Sequence, residues 1–209
     1  MISAGFRRQR GCGVTKELKP WSITASRITY RDRWITLRSD DCLTAEGVTV
    51  APFHVLEYPD WVTVVPILPD GRVMMVREYR HGRGDIVTGF VSGAVEADDG
   101  SDELAAMEAA RRELLEETGH DAARFIKVLT SLPNATNQTN RVTTWLALDA
   151  VKVAEPRLEA GEAVEVVLRD LADVLGELRS GTLIMQAMHV AALYAADDWL
   201  RTYASKDLK

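Results

Sequence analysis

The chain has 209 residues, of which 46% are apolar and 27% are charged, and this composition is typical of a protein with a buried core. The length suits one large domain, or a core domain with a small additional lobe. The net charge of −6 argues against broad nucleic-acid binding, which needs a basic face, and no apolar run approaches the length of a membrane span.

The first part of the chain is predicted to be an arm followed by strands. Residues 1–20 carry basic residues but no apolar signal core after them, which predicts a flexible N-terminal arm. Residues 21–95 mostly alternate between apolar and polar positions and are rich in β-branched and aromatic residues, which predicts strands. The predicted strands are SITASRITY, WITLRSDDCL, VTVAPFHVLEY, WVTVVPIL and RVMMVREYR. A tight turn is predicted at Pro69–Gly71, between the last two of them.

A helix interrupts the strands, and two more helices end the chain. The segment DDGSDELAAMEAARRELLEETG predicts a helix with Ser101 as its N-cap and Gly119 as its C-terminal stop. The later predicted strands are RFIKVLTSL, TTWLALDAV and AVEVVLRDL. The final predicted helices are LADVLGELRSG and an amphipathic run from Leu183 to about Tyr203. This order of elements predicts an α+β fold.

Three glutamates fall together on one side of the first predicted helix. At 3.6 residues per turn, Glu113, Glu116 and Glu117 share an arc, with Arg112 placed to brace Glu116. The neighbouring core-facing stripe is predicted to contain Leu104, Met107, Ala110 and Leu114. Like charges at this spacing destabilise a bare helix, whereas Mg²⁺ prefers oxygen ligands such as carboxylates and substrate phosphates. A glutamate cluster alone is more often a solvated face, but the full pattern R-E-aliphatic-x-E-E-x-G arises by chance in roughly one chain of this length in ten thousand.

The segment RELLEETG, residues 112–119, resembles the core of the Nudix box, and Gly93 with AVE after it resembles the glycine that opens this box. The preceding segment HVLEYPDWVTVVPILPDGRVMMVREYR resembles the branch that hydrolyses ADP-ribose and related nucleoside diphosphate sugars. The resemblance implies a Nudix fold, in which a mixed sheet lies between helices and an antiparallel β region precedes it. It further implies that residues 21–60 form an N-terminal dimerisation region and residues 61–209 the hydrolase domain.

The box departs from the family pattern in its first half. The segment from Gly93 to Arg112 is longer than in the family, which implies an insertion near EADDGSDE. The family's earlier glutamate has no clear counterpart, because Leu104 stands at its position and Glu103 is one step away. Before Gly93, the chain reads TGFVSG instead of the usual E-L-P-A-G-like string.

The resemblance implies roles for particular residues. Metal ligation is expected from Glu113, Glu116, Glu117 and a backbone carbonyl at Gly93 or the neighbouring Ser92, with Arg112 orienting the carboxylates. Glu162 is the predicted additional catalytic carboxylate, as general base or ligand, and Glu159 and Glu165 are its alternatives. The predicted substrate-binding residues are Arg80, Pro133 and Trp34. The alternatives for these three are a surface ion pair, an ordinary polar loop and a structural aromatic residue, respectively.

The leading hypothesis is a Mg²⁺- or Mn²⁺-dependent hydrolase that cleaves the pyrophosphate bond of ADP-ribose or another nucleoside diphosphate sugar. Two alternatives stay open. One is hydrolysis of a dinucleotide, a dinucleoside polyphosphate or an altered triphosphate, and the other is a catalytically inactive nucleotide-binding regulator. The expected partners are the small substrate and a second copy in a homodimer, with no nucleic acid and no membrane. Two cysteines, Cys12 and Cys42, without metal-ligand spacing favour a cytoplasmic location.

Overall fold

A computed structural model describes residues 17–96, 103–158 and 161–203 of the chain. Several predicted features lie outside these ranges: Cys12, most of the N-terminal arm, the Ser101 cap, Glu159 and most of the proposed insertion. Residues 17–20 are described, and they are exposed and form no regular secondary structure. Among the described residues, no helix is long and apolar enough to cross a membrane.

The predicted elements occur in the predicted order, together with four short strands that were not predicted, at residues 85–89, 91–94, 120–121 and 151–152. The strands that precede the first helix are β1 (Ser22–Arg31), β2 (Thr36–Leu43), β3 (Thr49–Glu57), β4 (Trp61–Ile67), β5 (Val73–Arg80), β6 (Asp85–Gly89) and β7 (Val91–Ala94). The later strands are β8 (His120–Asp121), β9 (Arg124–Ser131), β10 (Val142–Leu148), β11 (Val151–Lys152) and β12 (Val164–Arg169). The helices are α1 (Glu103–Thr118), α2 (Leu171–Ser180) and α3 (Ala187–Tyr203).

The N-terminal strands form a sheet of their own. Strands β1, β2 and β3 pair in sequence order, and both pairings are antiparallel. Every residue of β1 is exposed, although several of its side chains are apolar or aromatic. The sheet meets the rest of the chain at Leu56, whose backbone exchanges hydrogen bonds with Asn137 and Thr139 in the loop before β10. This contact fixes the end of β3 beside the main domain.

The main sheet is mixed and has the strand order β12-β5-β4-β10-β9, with β6 paired to β5 and β7 paired to β4. Strands β4 and β10 are parallel, whereas the other pairs in this sheet are antiparallel. The parallel pair is central, and α1 lies between these two strands in the sequence. The crossover therefore carries α1 over one face of the sheet.

The two faces of the main sheet have separate cores. Alternate residues of β4 point to opposite faces, as strand geometry requires. Val62 and Val64 pack in the cluster that contains Ala109, Ala110 and Leu114 of α1. The opposite cluster contains residues of β4, β5 and β10 together with residues of α2 and α3. This arrangement confirms the predicted mixed sheet between helices.

Helix α1 faces the sheet slightly differently from the prediction. Ala110 and Leu114 are fully buried as expected, but Leu104 is 61% exposed, so its predicted core position is wrong. Ala105 and Ala109 are buried instead, because only small side chains fit where the helix lies close to the sheet. The helix ends as predicted at Gly119, which has a φ of 72°.

The last helix begins later than predicted, at Ala187 instead of Leu183. Gly181, with a φ of 77°, ends α2, and the chain between the two helices is not helical. Leu183 and Met185 of this connection pack against the second core. The Gln186 carbonyl then accepts hydrogen bonds from the backbone amides of His189 and Val190, which starts α3. Burial of the two connecting side chains therefore outweighs the helical pattern of the sequence.

Candidate active site

Helix α1 brings the predicted glutamates to the edge of the sheet where β7 ends. Glu113 lies one turn after the buried Ala109 on the side of the helix that faces the sheet, and its side chain is only 16% exposed. Glu117 is half-buried one turn later, whereas the Glu116 side chain is 43% exposed and lies nearer the protein surface. The glutamate arc is therefore directed into the protein, unlike an ordinary solvated face.

Gly93 of β7 lies directly against Glu113. A Cβ atom at position 93 would overlap the carboxyl group of Glu113, so the close approach of strand and helix requires a glycine. In the register of the sheet, Gly93 pairs with Val62 of β4, whose side chain is in the core beneath α1. The structure thus brings together the predicted opening glycine and the first predicted carboxylate of the helix.

Arg112 braces two of the glutamates and ties the helix to the strand. Its Nη1 lies 3.0 Å from Oε1 of Glu113 and 3.1 Å from Oε2 of Glu116. Its Nη2 donates a hydrogen bond of 3.2 Å to the carbonyl of Ala94 in β7. Charged hydrogen bonds of this kind hold carboxylates in fixed orientations. The predicted orienting role of Arg112 agrees with these contacts.

Glu78 is a carboxylate that the sequence reasoning missed. It lies in β5 and continues the alternation of Met74 and Val76, which pack in the core beneath α1. Its side chain is 22% exposed and forms an ion pair with Arg80, the next residue on the same face. The alternation in VMMVREYR could have indicated this position, because it puts a charged side chain on a face whose earlier positions are apolar.

Burial and mutual repulsion make these carboxyl groups less acidic. Burial, followed by the charges of Glu78, Glu113 and Glu162, raises the pKa of Glu117 to about 8, and Arg80 opposes this effect. Burial also raises the pKa of Glu113 to about 7, although Arg112 favours its ionised form. The pKa of Glu78 is raised by burial and by Glu162, against the effect of Arg80. Four carboxyl groups therefore share one electrostatic environment.

The electrostatic interactions distinguish between Glu162 and Glu165, the two described candidates for the additional catalytic carboxylate. The charge of Glu162 contributes to the raised pKa values of Glu78, Glu113 and Glu117. Glu162 and Glu165 are both exposed, but Glu165 on β12 forms an ion pair of 2.7 Å with Arg77. These contacts favour Glu162 over Glu165.

The donor set of this carboxylate cluster fits a divalent cation. Ionised carboxylates that are buried near one another destabilise the folded chain, and a hard cation with oxygen ligands removes that cost. No three His, Cys, Asp or Glu side chains converge into a ready metal cage within the part of the chain that is described. The guanidinium group of Arg112 forms ion pairs with both Glu113 and Glu116. These ion pairs explain why the two carboxylates are turned towards Arg112 and not towards a common point.

The metal-free protein is expected to lose stability as the pH rises from 6.5 to 8.5. The folded protein holds protons on Glu113 and Glu117 with pKa values of about 7 and 8, whereas the unfolded chain releases them near 4.5. Stability therefore falls as these groups ionise, by about 3 kcal/mol. Urea unfolding in chelator across this range measures the fall, and Mg²⁺ or Mn²⁺ should reverse it. A metal-free stability that stayed constant or rose would contradict the assigned environment.

Two adjoining cavities open beside this cluster. The inner cavity, of about 260 Å³, is lined by Trp61, by Ser92–Ala94 and by Met188 of α3. The outer cavity, of about 510 Å³, lies between the β5–β6 turn and the connection at residues 184–186. Arg80 and Gln186 line both cavities, so they stand at the boundary between them. The predicted substrate residue Arg80 thus lies next to Gly93 as well as in the larger space.

A buried histidine supports the wall near this boundary. His189 of α3 is 1% exposed, and its ring occupies the space that a Cβ atom of Gly89 would need. Its Nδ1 accepts a hydrogen bond of 3.3 Å from the backbone amide of Phe90. Burial, assisted by the charge of Arg80, lowers the pKa of His189 to about 3. The ring is therefore neutral and joins α3 to the segment that leads into β7.

Substitution of His189 by Asn is expected to make the protein less sensitive to acid. The folded protein keeps His189 neutral down to a pKa of about 3, whereas the unfolded chain takes up the proton near 6.5. This group therefore stabilises the fold above pH 6.5, and the contribution is lost as the pH falls below that value. The stability of the variant relative to wild type should rise by a few kcal/mol between pH 6.5 and 4, measured by urea unfolding. The exposed His81→Asn is the control, and parallel curves for His189→Asn and wild type would refute the assignment.

Two predicted substrate residues lie apart from these cavities. Trp34 is 65% exposed in the turn between β1 and β2, where the Arg33 guanidinium stacks on its ring at 4.3 Å. Pro133 lies in the loop after β9. Neither residue lines the inner or the outer cavity. A substrate contact at Trp34 or Pro133 stays a prediction.

Comparisons with known proteins agree with this geometry. The family model of the NUDIX domain matches residues 57–185, and that of the nucleoside diphosphate sugar hydrolase N-terminal domain matches residues 21–56. A solved structure, "Crystal structure of ADP compounds hydrolase", is similar with a TM-score of 0.77 and 25% sequence identity, over 90% of this chain and 98% of that chain. No curated protein matches the chain by sequence. Because the first family model covers more than half of the chain, the protein belongs to the Nudix family.

Proposed function

We propose that the protein hydrolyses the pyrophosphate bond of ADP-ribose or another nucleoside diphosphate sugar, giving a nucleoside monophosphate and a sugar phosphate. The observation that carries this proposal is the contact of the Glu113 carboxyl group, held by Arg112, with Gly93, which lines the inner cavity together with Arg80. The substrate class is supported by the N-terminal domain match and by the solved ADP compounds hydrolase.

The proposed metal is Mg²⁺ or Mn²⁺, held by Glu113, Glu116, Glu117 and the backbone of Gly93. Such an ion neutralises phosphate oxygens and lowers the pKa of an attacking water. Arg112 keeps two of the carboxylates oriented, and Arg80 presents a cation to the phosphates from the cavity wall. Water adds to one phosphorus atom as the bridging P–O bond breaks, and the departing phosphate takes up a proton.

We assign the role of general base, or of an additional ligand, to Glu162. The Glu162→Gln variant is expected to lower kcat by about 100-fold or more, because the amide cannot accept the proton of the attacking water. Glu165→Gln is the matched control and should stay within about twofold of wild type, since it removes an exposed ion pair with Arg77. Initial rates under saturating substrate and metal measure both variants. Equal losses in the two variants, or a loss in Glu165→Gln alone, would reverse the assignment.

Product release from a substrate panel tests the proposed function. The panel contains ADP-ribose, ADP-glucose, GDP-mannose, UDP-glucose, NADH and diadenosine polyphosphates, each with Mg²⁺ or Mn²⁺ and with chelator. Metal-dependent release of a nucleoside monophosphate and a sugar phosphate, lost in Glu116→Gln, is the expected result. Turnover of NADH or of the diadenosine polyphosphates alone would support the alternative function, hydrolysis of a dinucleotide or a dinucleoside polyphosphate. Thermal stabilisation by ADP-ribose without any turnover would indicate a binding regulator instead.

We further propose a homodimer built through the N-terminal sheet and a cytoplasmic location. The sheet and the turns beside it expose several large apolar side chains, which a partner copy could cover: Trp21, Ile23, Ile28, Tyr30, Trp34, Leu43 and Val48. Sedimentation equilibrium of wild type and Ile28→Asp tests the dimer. A monomeric wild-type protein would exclude it.

A further inference from the structure

Arg80 is the last residue of β5, and its side chain borders both cavities. Gly93, which lies against the Glu113 carboxyl group, lines the inner cavity with it, so Arg80 stands beside the proposed site of the reacting diphosphate. An arginine side chain has several rotatable bonds, and its guanidinium plane meets phosphate oxygens in a defined geometry only when it is held in place. Diphosphate binding here therefore depends on what fixes the Arg80 side chain.

Glu78 is the residue that pairs with the Arg80 side chain. Alternate residues of a strand share a face, so residues 78 and 80 both lie on the side of β5 that α1 covers. The Nη2 atom of Arg80 forms an ion pair with Oε1 of Glu78, whose side chain is only 22% exposed. Among the described residues, Nε and Nη1 of Arg80 have no other partner, so these donors are available to phosphate oxygens.

The sheet fixes Glu78 more firmly than it fixes Arg80. The backbone of Glu78 lies between β12 and β6, where its partners in the register are Val164 and Val87. The pairing with β12 ends at Glu78, so Arg80 is paired with β6 alone. The Arg80 side chain is 35% exposed at the start of the turn that leads to β6. The carboxylate on the doubly paired part of the strand is therefore the fixed partner, and it holds the longer arginine side chain.

Asp85 is the competing partner for Arg80. It lies opposite Arg80 in the antiparallel register of β5 and β6, and residues in such pairs direct their side chains to the same face. Its Oδ1 accepts a hydrogen bond of 2.8 Å from the amide of Ile86, whereas Arg80 forms its ion pair with Glu78. Arg80 and Asp85 both line the outer cavity. Loss of the Glu78 charge would therefore allow the guanidinium group to turn towards Asp85 and away from Gly93.

We propose that Glu78 is a positioning residue, which holds the Arg80 guanidinium group at the wall of the inner cavity so that it binds the diphosphate of the substrate. The proposal rests on the proposed function and adds a residue to it. Charge alone would have the opposite effect, since a carboxylate near the site repels phosphate oxygens. Removal of the Glu78 charge should therefore tighten diphosphate binding if charge dominates, and weaken it if Glu78 positions Arg80.

A double-mutant cycle on diphosphate binding tests this role. Methylenediphosphonate, a diphosphate analogue that cannot be hydrolysed, is titrated into the full chain with saturating Mg²⁺ by isothermal calorimetry. Glu78→Gln and Arg80→Ala are each expected to raise its Kd about tenfold. In the Arg80→Ala background, Glu78→Gln should cause no further loss, because Glu78 then has no guanidinium group to hold. An equal loss in both backgrounds, or an unchanged or lower Kd for Glu78→Gln alone, would overturn the proposal.

A second variant and a matched control complete the experiment. Glu78→Asp keeps the charge but shortens the side chain by one methylene group, so the carboxylate no longer holds the guanidinium group in the same place and the Kd should again rise. Arg77→Gln removes the neighbouring ion pair with Glu165 from the opposite face of β5, and it should bind methylenediphosphonate as wild type does. A wild-type Kd in Glu78→Asp, or no measurable binding to wild-type protein, would also overturn the proposal.

Failure of this inference is distinguishable from failure of the proposed function. If wild-type protein turns over no member of the substrate panel, the proposed hydrolysis is wrong, and the cycle still shows whether Glu78 and Arg80 act together on a bound diphosphate. If wild-type protein hydrolyses ADP-ribose and Glu78→Gln has the same effect in both backgrounds, the function stands and the positioning role is wrong.

Discussion

Replacement of Glu117 by Gln is expected to abolish most turnover and, at the same time, to stabilise the metal-free protein. Burial, followed by the charges of Glu78, Glu113 and Glu162, raises the pKa of this carboxyl group to about 8. The amide has a similar shape but carries no charge, so the repulsion that ionisation causes at pH 8 disappears. The expected gain in the free energy of unfolding is about 1–3 kcal/mol in chelator. The expected loss in kcat with Mg²⁺ is at least about 100-fold, because a proposed ligand is removed.

Glu108→Gln is the matched control for this experiment. Glu108 lies on the same helix with its side chain exposed, so the same chemical change should alter neither kcat nor stability measurably. Urea unfolding at pH 8 in chelator and initial rates with Mg²⁺ give the two readings. The distinctive result is a lower kcat together with a higher free energy of unfolding. A substitution that merely damages the fold lowers both quantities. A Glu117→Gln variant with normal kcat would remove this residue from the site.

The second large effect is expected from Gly93→Ala, and it should fall on activity more than on stability. The new Cβ atom overlaps the Glu113 carboxyl group, which is the far end of a flexible side chain and can rotate away. That rotation separates Glu113 from Arg112, which now holds it at 3.0 Å, and dismantles the proposed ligand set. We expect kcat to fall by about 100-fold or more, while the free energy of unfolding changes by about 1 kcal/mol.

Gly176→Ala tests whether the loss reflects the position or simply the added methyl group. Gly176 lies within α2, and no atom would come within 4 Å of a Cβ atom there. Alanine favours helices over glycine, so this variant should keep full activity and gain up to about 1 kcal/mol. Titration of Mn²⁺ against Gly93→Ala should show weaker binding than wild type. Wild-type Mn²⁺ affinity and kcat in Gly93→Ala would exclude the proposed role of this strand.

The parts of the site that follow from local spacing could be predicted from the sequence. Glu113, Glu116 and Glu117 share a helix face because of the helical repeat, and the Nudix resemblance named the strand glycine that meets them. Glu78 could not be found in the same way, since its proximity to α1 depends on which strands neighbour each other and which face the helix covers. The outer cavity likewise requires the position of residues 184–186, which the helical pattern had placed inside α3.

The same distinction applies to the fold. Alternation and turn residues predicted the longer strands, and the Nudix resemblance implied a mixed sheet between helices, which the structure confirms. Leu104 was wrongly placed in the core, because close packing against the sheet selects alanines on α1 and leaves the larger side chain exposed at the start of the helix. Periodicity identifies an apolar stripe, but it does not report how closely the helix approaches its neighbour.

The parallel pairing of β4 with β10 has a consequence for the order in which the chain folds. Trp61 pairs with Val142, so the centre of the main sheet requires residues that leave the ribosome long after β4 has been made. Strands β1 to β3 need only neighbouring segments and can assemble first. During synthesis, β4 waits with an unpaired edge until β10 arrives, and the nascent chain is exposed to intermolecular pairing in that interval. Helix α1 is made within this interval, so Glu113, Glu116 and Glu117 receive their final neighbours only in the last steps of folding.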